Sequence, residues 1–150
     1  MSELKRILLA EDNAADLELT LEALGQNRLA NEVDVVRDGA AALDYLFRRG
    51  AYASRPEGNP AVVLLDLKMP KVDGLQVLKQ VKAEERLRQI PIVMLTSSRE
   101  EQDLVESYRL GVNAYVVKPV DFGQFIEAVK QLGMFWAVVN EPPPGSVRRG

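Results

Sequence analysis

The chain has no cysteine and no histidine among its 150 residues. The first absence excludes disulfides and thiolate-held zinc. The second removes imidazole general bases, histidine-ligated metals and any histidine able to carry a phosphoryl group. No apolar run approaches the ~20 residues that span a bilayer, and no basic segment leads an apolar stretch at the N-terminus. The expectation is therefore no membrane partner and a cytoplasmic location. A net charge of -3 supplies no basic footprint, which argues against nucleic acid as a partner. What is present is an ordinary globular composition, 47% apolar and 27% charged, at a length that favours one domain with a full core.

Short apolar runs alternate with amphipathic stretches. Arg6–Ala10, Ala61–Asp66 and Pro91–Leu95 read as buried strands, Glu32–Val36 and Ala114–Val117 as weaker ones. Ala14–Leu24 reads as a helix with Leu17, Leu21 and Leu24 on its inner face and Gly25 as its stop. Gly39–Arg49 reads as a helix burying Ala42, Leu43, Leu46 and Phe47, and Gly74–Arg88 as one turning Leu75, Leu78 and Val81 inward. Further helices are expected over Glu100–Leu110 and Phe122–Leu132, the last with Phe125, Val129 and Leu132 in line. Gly50–Pro60 holds two prolines and two glycines and reads as a loop. Residues 1–139 form one domain on this reading, ending in an apolar extension, and residues 140–150 a disordered tail. Five β-α repeats of this kind imply an α/β fold, a parallel sheet with helices on both faces.

In open sheets of this class, ligands sit beyond the carboxyl ends of the strands, at the switch point of strand order. The polar residues at those ends are Glu11 and Asp12 after the first strand, Asp66 on the third, Thr96 on the fourth and Lys118 on the fifth. In a 2-1-3-4-5 order the first and third strands are neighbours, so Glu11, Asp12 and Asp66 share one crevice with Thr96 and Lys118 across it. Three adjacent carboxylates repel unless a cation joins them. An all-oxygen donor set with few protein ligands suits Mg²⁺, which keeps waters and accepts phosphate oxygens. A lysine and a hydroxyl opposite could hold the other oxygens of a phosphoryl group, and an aspartate can itself accept one. The residues thus point to Mg²⁺-assisted phosphoryl transfer to a carboxylate, without saying which carboxylate is the nucleophile.

Each residue alone has a plainer reading. Asp12 and Asn13 could simply cap a helix, Asp66 could be a loop-start acid, and Lys118-Pro119 a strand end. The joint occurrence of five suitable residue types at four strand ends carries the functional reading.

The segments Ile7–Asn13, Val62–Gly74, Ile90–Ser98 and Gly111–Val120 together resemble the receiver domain of two-component response regulators, over about residues 5–133. That resemblance implies a flavodoxin-like five-stranded sheet of order 2-1-3-4-5. It implies that Asp66 is the phosphoacceptor. Glu11, Asp12, Asp66 and the backbone carbonyl of Lys68 would hold Mg²⁺. Thr96 and Lys118 would stabilise the phosphoryl group, Thr96 and Tyr115 would form the switch, and Lys118-Pro119 would be a cis peptide. The long Arg48–Pro60 loop, the Ser107–Tyr115 segment and the Phe135-Trp136 pair are similar to stand-alone regulators of bacterial and cyanobacterial phytochrome kinases. With no histidine in the chain the phosphoryl donor must be external, a phosphohistidine on a kinase or a small phosphodonor, and the resemblance implies a sensor histidine kinase as partner.

Other readings fit less well. Regulators of non-phytochrome kinases share the same chemistry. A haloacid-dehalogenase-type phosphatase needs a second acid two residues after its nucleophile, where this chain has Lys68. An FMN binder needs a phosphate-binding loop after the first strand, and EDNAAD there repels phosphate. The apolar residues after Gly133 favour a homodimer with Tyr108, Phe135 and Trp136 as candidate contacts.

Overall fold

The computed structural model describes residues 6–25, 32–97 and 114–131. The helix expected over Glu100–Leu110, the apolar extension, the tail, and the candidate dimer contacts Tyr108, Phe135 and Trp136 lie outside those residues.

Five strands form one parallel sheet: β1 (Arg6–Ala10), β2 (Glu32–Val36), β3 (Val62–Asp66), β4 (Ile92–Thr96) and β5 (Tyr115–Val117), in the order β2-β1-β3-β4-β5. The register sets Leu9 opposite both Val35 and Leu64, and Leu65 opposite Met94. β3 and β4 are buried along their whole length, which explains why their sequences are continuous apolar runs rather than alternating ones.

Alternate residues of each strand enter two separate cores. Leu8, Ala10, Val63, Leu65, Ile92 and Met94 pack against helices α2 (Gly39–Phe47) and α3 (Gly74–Ala83). Ile7, Leu9, Val62, Leu64, Val93 and Leu95 pack on the other face with Leu24 of α1 (Ala14–Gly25) and Phe125, Ala128 and Val129 of α4 (Phe122–Gln131). Covering both faces is what allows the central strands of a parallel sheet to be apolar on both sides.

Several helix details differ from the sequence expectation. In α1 the buried residues are Thr20, Ala23 and Leu24, with Leu17 half-buried and Leu21 exposed. Positions 17, 20 and 24 define the inner stripe, and Leu21 falls at its margin. α2 ends at Phe47, not Arg49, because Arg48 adopts a left-handed conformation (φ 53°) that caps the helix. Within α2, Tyr45 is buried while Phe47 is only partly covered, with the Arg49 guanidinium 4.8 Å from its ring centroid. α3 stops at Ala83 rather than Arg88. The chain leaves it at an extended Glu84 and continues in turns that bury Leu87 and Ile90 under the sheet. Val77 joins Leu78 and Val81 on the buried face, and Leu75 packs half-buried against the same core.

The 48–60 segment is a built loop. Arg55 lies 4.4 Å over the Tyr45 ring and donates Nε to the Tyr45 carbonyl at 2.7 Å and Nη1 to Pro56 and Gly58 carbonyls. The Tyr45 hydroxyl donates to Asp34 Oδ2 at 2.6 Å, and Arg6 grips the same carboxylate with Nε and Nη2. This pairing of Arg6 with Asp34 fastens edge strand β2 to β1, and the Arg6 hydrogen bonds hold the Asp34 carboxyl below its ordinary range.

Candidate functional site

The carboxyl ends of β1, β3, β4 and β5 lie along one edge of the sheet, and the polar residues named from sequence collect there. Glu11 follows β1. Its backbone N–H donates to the Val36 carbonyl at 3.0 Å, and its side chain is fully buried. Asp12 comes next and is exposed. Asn13 accepts the Asp16 N–H on Oδ1 at 2.9 Å, capping α1 so that the helix begins directly beside the two acids.

Asp66 is the last residue of β3 and only 5% exposed. Glu11, Asp12 and Asp66 each offer a carboxylate oxygen within 4.8 Å of the others. Lys118 follows β5, where its N–H donates to the Thr96 carbonyl at 2.8 Å and its bond to Pro119 is cis. The Lys118 Nζ lies 2.8 Å from Glu11 Oε1, 3.1 Å from Asp66 Oδ2 and 3.1 Å from Asp16 Oδ2.

The electrostatics follow from this crowding. Burial, then the hydrogen bond and charge of Glu11, push the Asp66 carboxyl up to about 7, against the opposing pull of Lys118. Burial works to lower the Lys118 ammonium. The hydrogen bond to Glu11 and the charges of Asp66 and Asp16 outweigh it and hold the group above its ordinary value, so it stays charged. Three carboxylates surround the one ammonium, and Asp12 stands beside two of them. That surplus of oxygen donors fits a hard divalent cation, and the trio Glu11, Asp12 and Asp66 has the spacing to share one.

The loop after Asp66 is shaped by close packing. Asp73 caps α3 through a capping box with Gln76, and the Gly74 N–H donates to the Leu67 carbonyl at 2.8 Å. A side chain at Gly74 would overlap the Asp66 carbonyl, and one at Gly39 would overlap that of Val72. Lys71 completes the turn in the left-handed region (φ 70°), its Nζ 3.4 Å from Asp38.

Thr96 ends β4, one residue beyond Leu95, the register partner of Asp66. It is fully buried, and its hydroxyl has no hydrogen-bond partner among the described residues. Tyr115 opens β5 and packs, half-buried, against the α2–α3 core. Lys68 is exposed in the loop two residues past Asp66.

Two contributors were missed in the sequence. Asp16 stands one helical turn past Asp12 and reaches Lys118. Arg37 follows β2 and donates Nε to the Glu11 carbonyl at 3.1 Å and Nη2 to the Asp12 carbonyl at 2.9 Å, clamping the backbone of the acidic pair. The rule that found the other residues, polar groups at carboxyl ends of strands, also singles out Arg37.

A family model described as the response regulator receiver domain matches residues 7–130. The chain belongs to the response regulator receiver family.

Among its solved relatives is the bacteriophytochrome response regulator AtBRR, 68% identical, with a TM-score of 0.87 over 93% of this chain and 99% of that one. The phosphorylated cyanobacterial phytochrome response regulator RcpA is 40% identical, with a TM-score of 0.69 over 91% of this chain and 94% of that one. Response regulator Rcp1 of Synechocystis sp. is 39% identical over 88% of both chains. A structure of its Mn²⁺-bound form matches with a TM-score of 0.70 over 89% of this chain and 95% of that one. The receiver is thus a signalling domain that partners with a histidine kinase, not a classical enzyme, and its strand order is that of the receiver fold. Among the described residues no helix is long and apolar enough to cross a membrane.

Proposed function

We propose that the chain is a stand-alone response regulator that accepts a phosphoryl group on Asp66 with Mg²⁺, from a phosphohistidine on a phytochrome-like kinase in the cytoplasm. The observation that carries this reading is the Lys118 ammonium, held between Glu11 and Asp66 at the mouth of a three-carboxylate cluster. A cation-ready acid cluster on one side and a fixed ammonium on the other make a receptacle for a phosphoryl group bonded to Asp66.

Glu11, Asp12, Asp66 and the backbone carbonyl of Lys68 would hold the metal, which when bound offsets carboxylate charge and polarises a phosphoryl oxygen. An Asp66 oxygen attacks phosphorus in line. The new O–P bond forms as the P–N bond of the donor breaks, and the electron pair returns to the imidazole nitrogen, which takes up a proton. Lys118 offsets charge on the equatorial oxygens, and the unpartnered Thr96 hydroxyl gains an acceptor. Movement of Thr96 toward that acceptor, followed by Tyr115, is the switch we assign. Identity of 68% to a bacteriophytochrome regulator supports the choice of kinase class.

Acetyl phosphate with Mg²⁺ should add one phosphoryl group by mass, and Asp66→Asn should abolish the gain. Labelling of that variant at the wild-type rate would refute the assignment. We further propose that residues 1–139 form the functional unit, that 140–150 are a dispensable tail, and that two copies pair through Tyr108, Phe135 and Trp136. Trp136→Ala should shift the sedimenting mass toward monomer. A wild-type chain that is already monomeric at micromolar concentration would contradict the pairing.

A further inference from the structure

The contact between Lys118 and Asp16 is not used by the transfer chemistry. Asp16 lies in the first turn of α1, and its carboxylate belongs to a different element from every other group at the crevice apart from its own capping neighbour. It lies outside the trio spaced to share a cation. Its Oδ2 nevertheless sits 3.1 Å from Lys118 Nζ, across 102 residues of sequence.

An ammonium has three N–H donors and no more. In this state three carboxylate oxygens surround it: Glu11 Oε1, Asp66 Oδ2 and Asp16 Oδ2. A phosphoryl oxygen arriving on Asp66 therefore meets an ammonium already paired with three carboxylates and hydrogen-bonded to one of them, Asp16. The contact to Asp66 moves readily to an oxygen carried by Asp66 itself. Glu11 has an alternative partner, because it belongs to the cation-sharing trio. Asp16 has no such alternative among the described residues, since the other cation nearby, Arg37, is committed to the Glu11 and Asp12 carbonyls.

We infer that Asp16 is a counter-ion that competes with the phosphoryl group for Lys118, and so sets how tightly the receiver holds its phosphorylated form. The inference rests on Asp66 being the phosphoacceptor. Asp16 never touches the reacting atoms; it acts through Lys118. An aspartate at this position weakens the phosphorylated state by keeping one ammonium donor engaged and by adding negative charge near a group that gains more of it. The same aspartate keeps Lys118 folded over the crevice before phosphorylation, so the ammonium is in place when the donor arrives.

Beryllofluoride, a tetrahedral phosphoryl mimic that attaches to a carboxylate oxygen, is the probe. Its affinity is read from bound fluorine resonances at fixed, saturating Mg²⁺, so that changes in metal affinity do not enter. Asp16→Asn, near-isosteric and on a partly exposed side chain, should bind the mimic roughly fivefold more tightly, the scale of one partly exposed ion pair. Asp16→Ser should behave alike, which guards against a folding defect in either variant. Asp16→Glu, which keeps the charge, should stay within about twofold of wild type. In a Lys118→Ala background the Asp16→Asn effect should vanish. Unchanged affinity in both neutral variants overturns the inference, as does an equal gain in the Lys118→Ala background, which would be charge acting without Lys118. A wild-type chain that fails to bind beryllofluoride with Mg²⁺ overturns the phosphoacceptor reading itself, and with it this inference.

Discussion

Gly74 offers a direct test of how the fold positions Asp66. It opens α3, and its own N–H is tied to the Leu67 carbonyl at 2.8 Å. An ideal Cβ at this position would lie 2.9 Å from Leu67 Cα and 3.1 Å from the Asp66 carbonyl carbon, and would overlap the carbonyl oxygen outright. Relieving that overlap needs about 1 Å of backbone movement, given ordinary carbon contacts of about 3.5 Å. The obstacle is the backbone of a central strand, not a flexible side chain tip. Overpacking of this kind costs about 1–3 kcal/mol, and disturbing the Asp73–Gln76 capping box adds up to about 1 kcal/mol. The helix preference of alanine over glycine returns up to about 1 kcal/mol. Gly74→Ala should therefore lose roughly 1–3 kcal/mol, or about 3–10 °C in Tm for a domain of this size. If the strand yields rather than the helix, Asp66 itself shifts, and a misplacement near 1 Å can slow a transfer by about a hundredfold. Gly25→Ala, with nothing within 4 Å of its added carbon, is the control and should be nearly neutral. Thermal melts and the rate of labelling by acetyl phosphate read the two effects separately. A Gly74→Ala protein with wild-type Tm and wild-type rate would refute the close-packing argument.

Two further outcomes are expected. Asp12→Ala removes an exposed carboxylate, so the fold should survive while Mg²⁺ affinity falls at least about tenfold, read by calorimetric titration; unaltered affinity would remove Asp12 from the metal site. Without metal, the Asp66 carboxyl is raised to about 7, so the native state keeps a proton that the unfolded chain loses near 4, and this group makes stability fall as pH rises between those values. In EDTA, Asp66→Asn should thus gain stability over wild type from pH 5 to pH 8, on the order of 1–3 kcal/mol by urea unfolding at the upper end, and an equal difference at both pH values would contradict the raised pKa.

The sheet was legible because its physics is local. Residues 62–65 and 92–95 are covered on both faces, so they must be apolar, and a run of four such residues bounded by loops has few other readings. The site was legible for a related reason: in a parallel sheet every strand presents its carboxyl end at one edge, and polar residues there stand out against apolar runs. What escaped notice depends on distant parts of the chain. Asp16 looks like an ordinary first-turn acid that favours a helix dipole, and only the packing of β5 beside it reveals its contact with Lys118. The ends of α2 and α3 come earlier than the periodicity implies for the same reason. Nothing local forbids a helix through Arg48 or through Glu84–Arg88. α2 ends because Arg48 turns left-handed, and α3 ends because the chain must deliver Leu87 and Ile90 to the core. The 48–60 segment reads as a loop but carries a short 3-10 turn over Gly50–Tyr52, and its order comes from Arg55 against Tyr45, a contact between residues ten apart.

The crevice also explains why so much of the molecule is uninterrupted core. A buried hydroxyl without an acceptor costs about 1–3 kcal/mol, and Thr96 is in that position among the described residues. A buried carboxyl beside a second one, as at Asp66 and Glu11, adds a penalty of the same kind. A chain selected for stability alone would place valine at 96 and an amide at 66, at no loss of sheet packing. Both unfavourable groups sit at the same edge, within one residue of a shared register position, and in the proposed function both would be relieved by the same event: a phosphoryl group on Asp66 would give Thr96 an acceptor and the acidic cluster a reason to hold a cation. The two cores flanking the sheet, built on Leu8, Leu65 and Met94 on one side and Leu9, Leu64 and Phe125 on the other, offset this strain. The geometry of the crevice is therefore a property of the sequence as a whole. The strands are apolar enough to hold their carboxyl ends in an arrangement that those ends, left to themselves, would abandon.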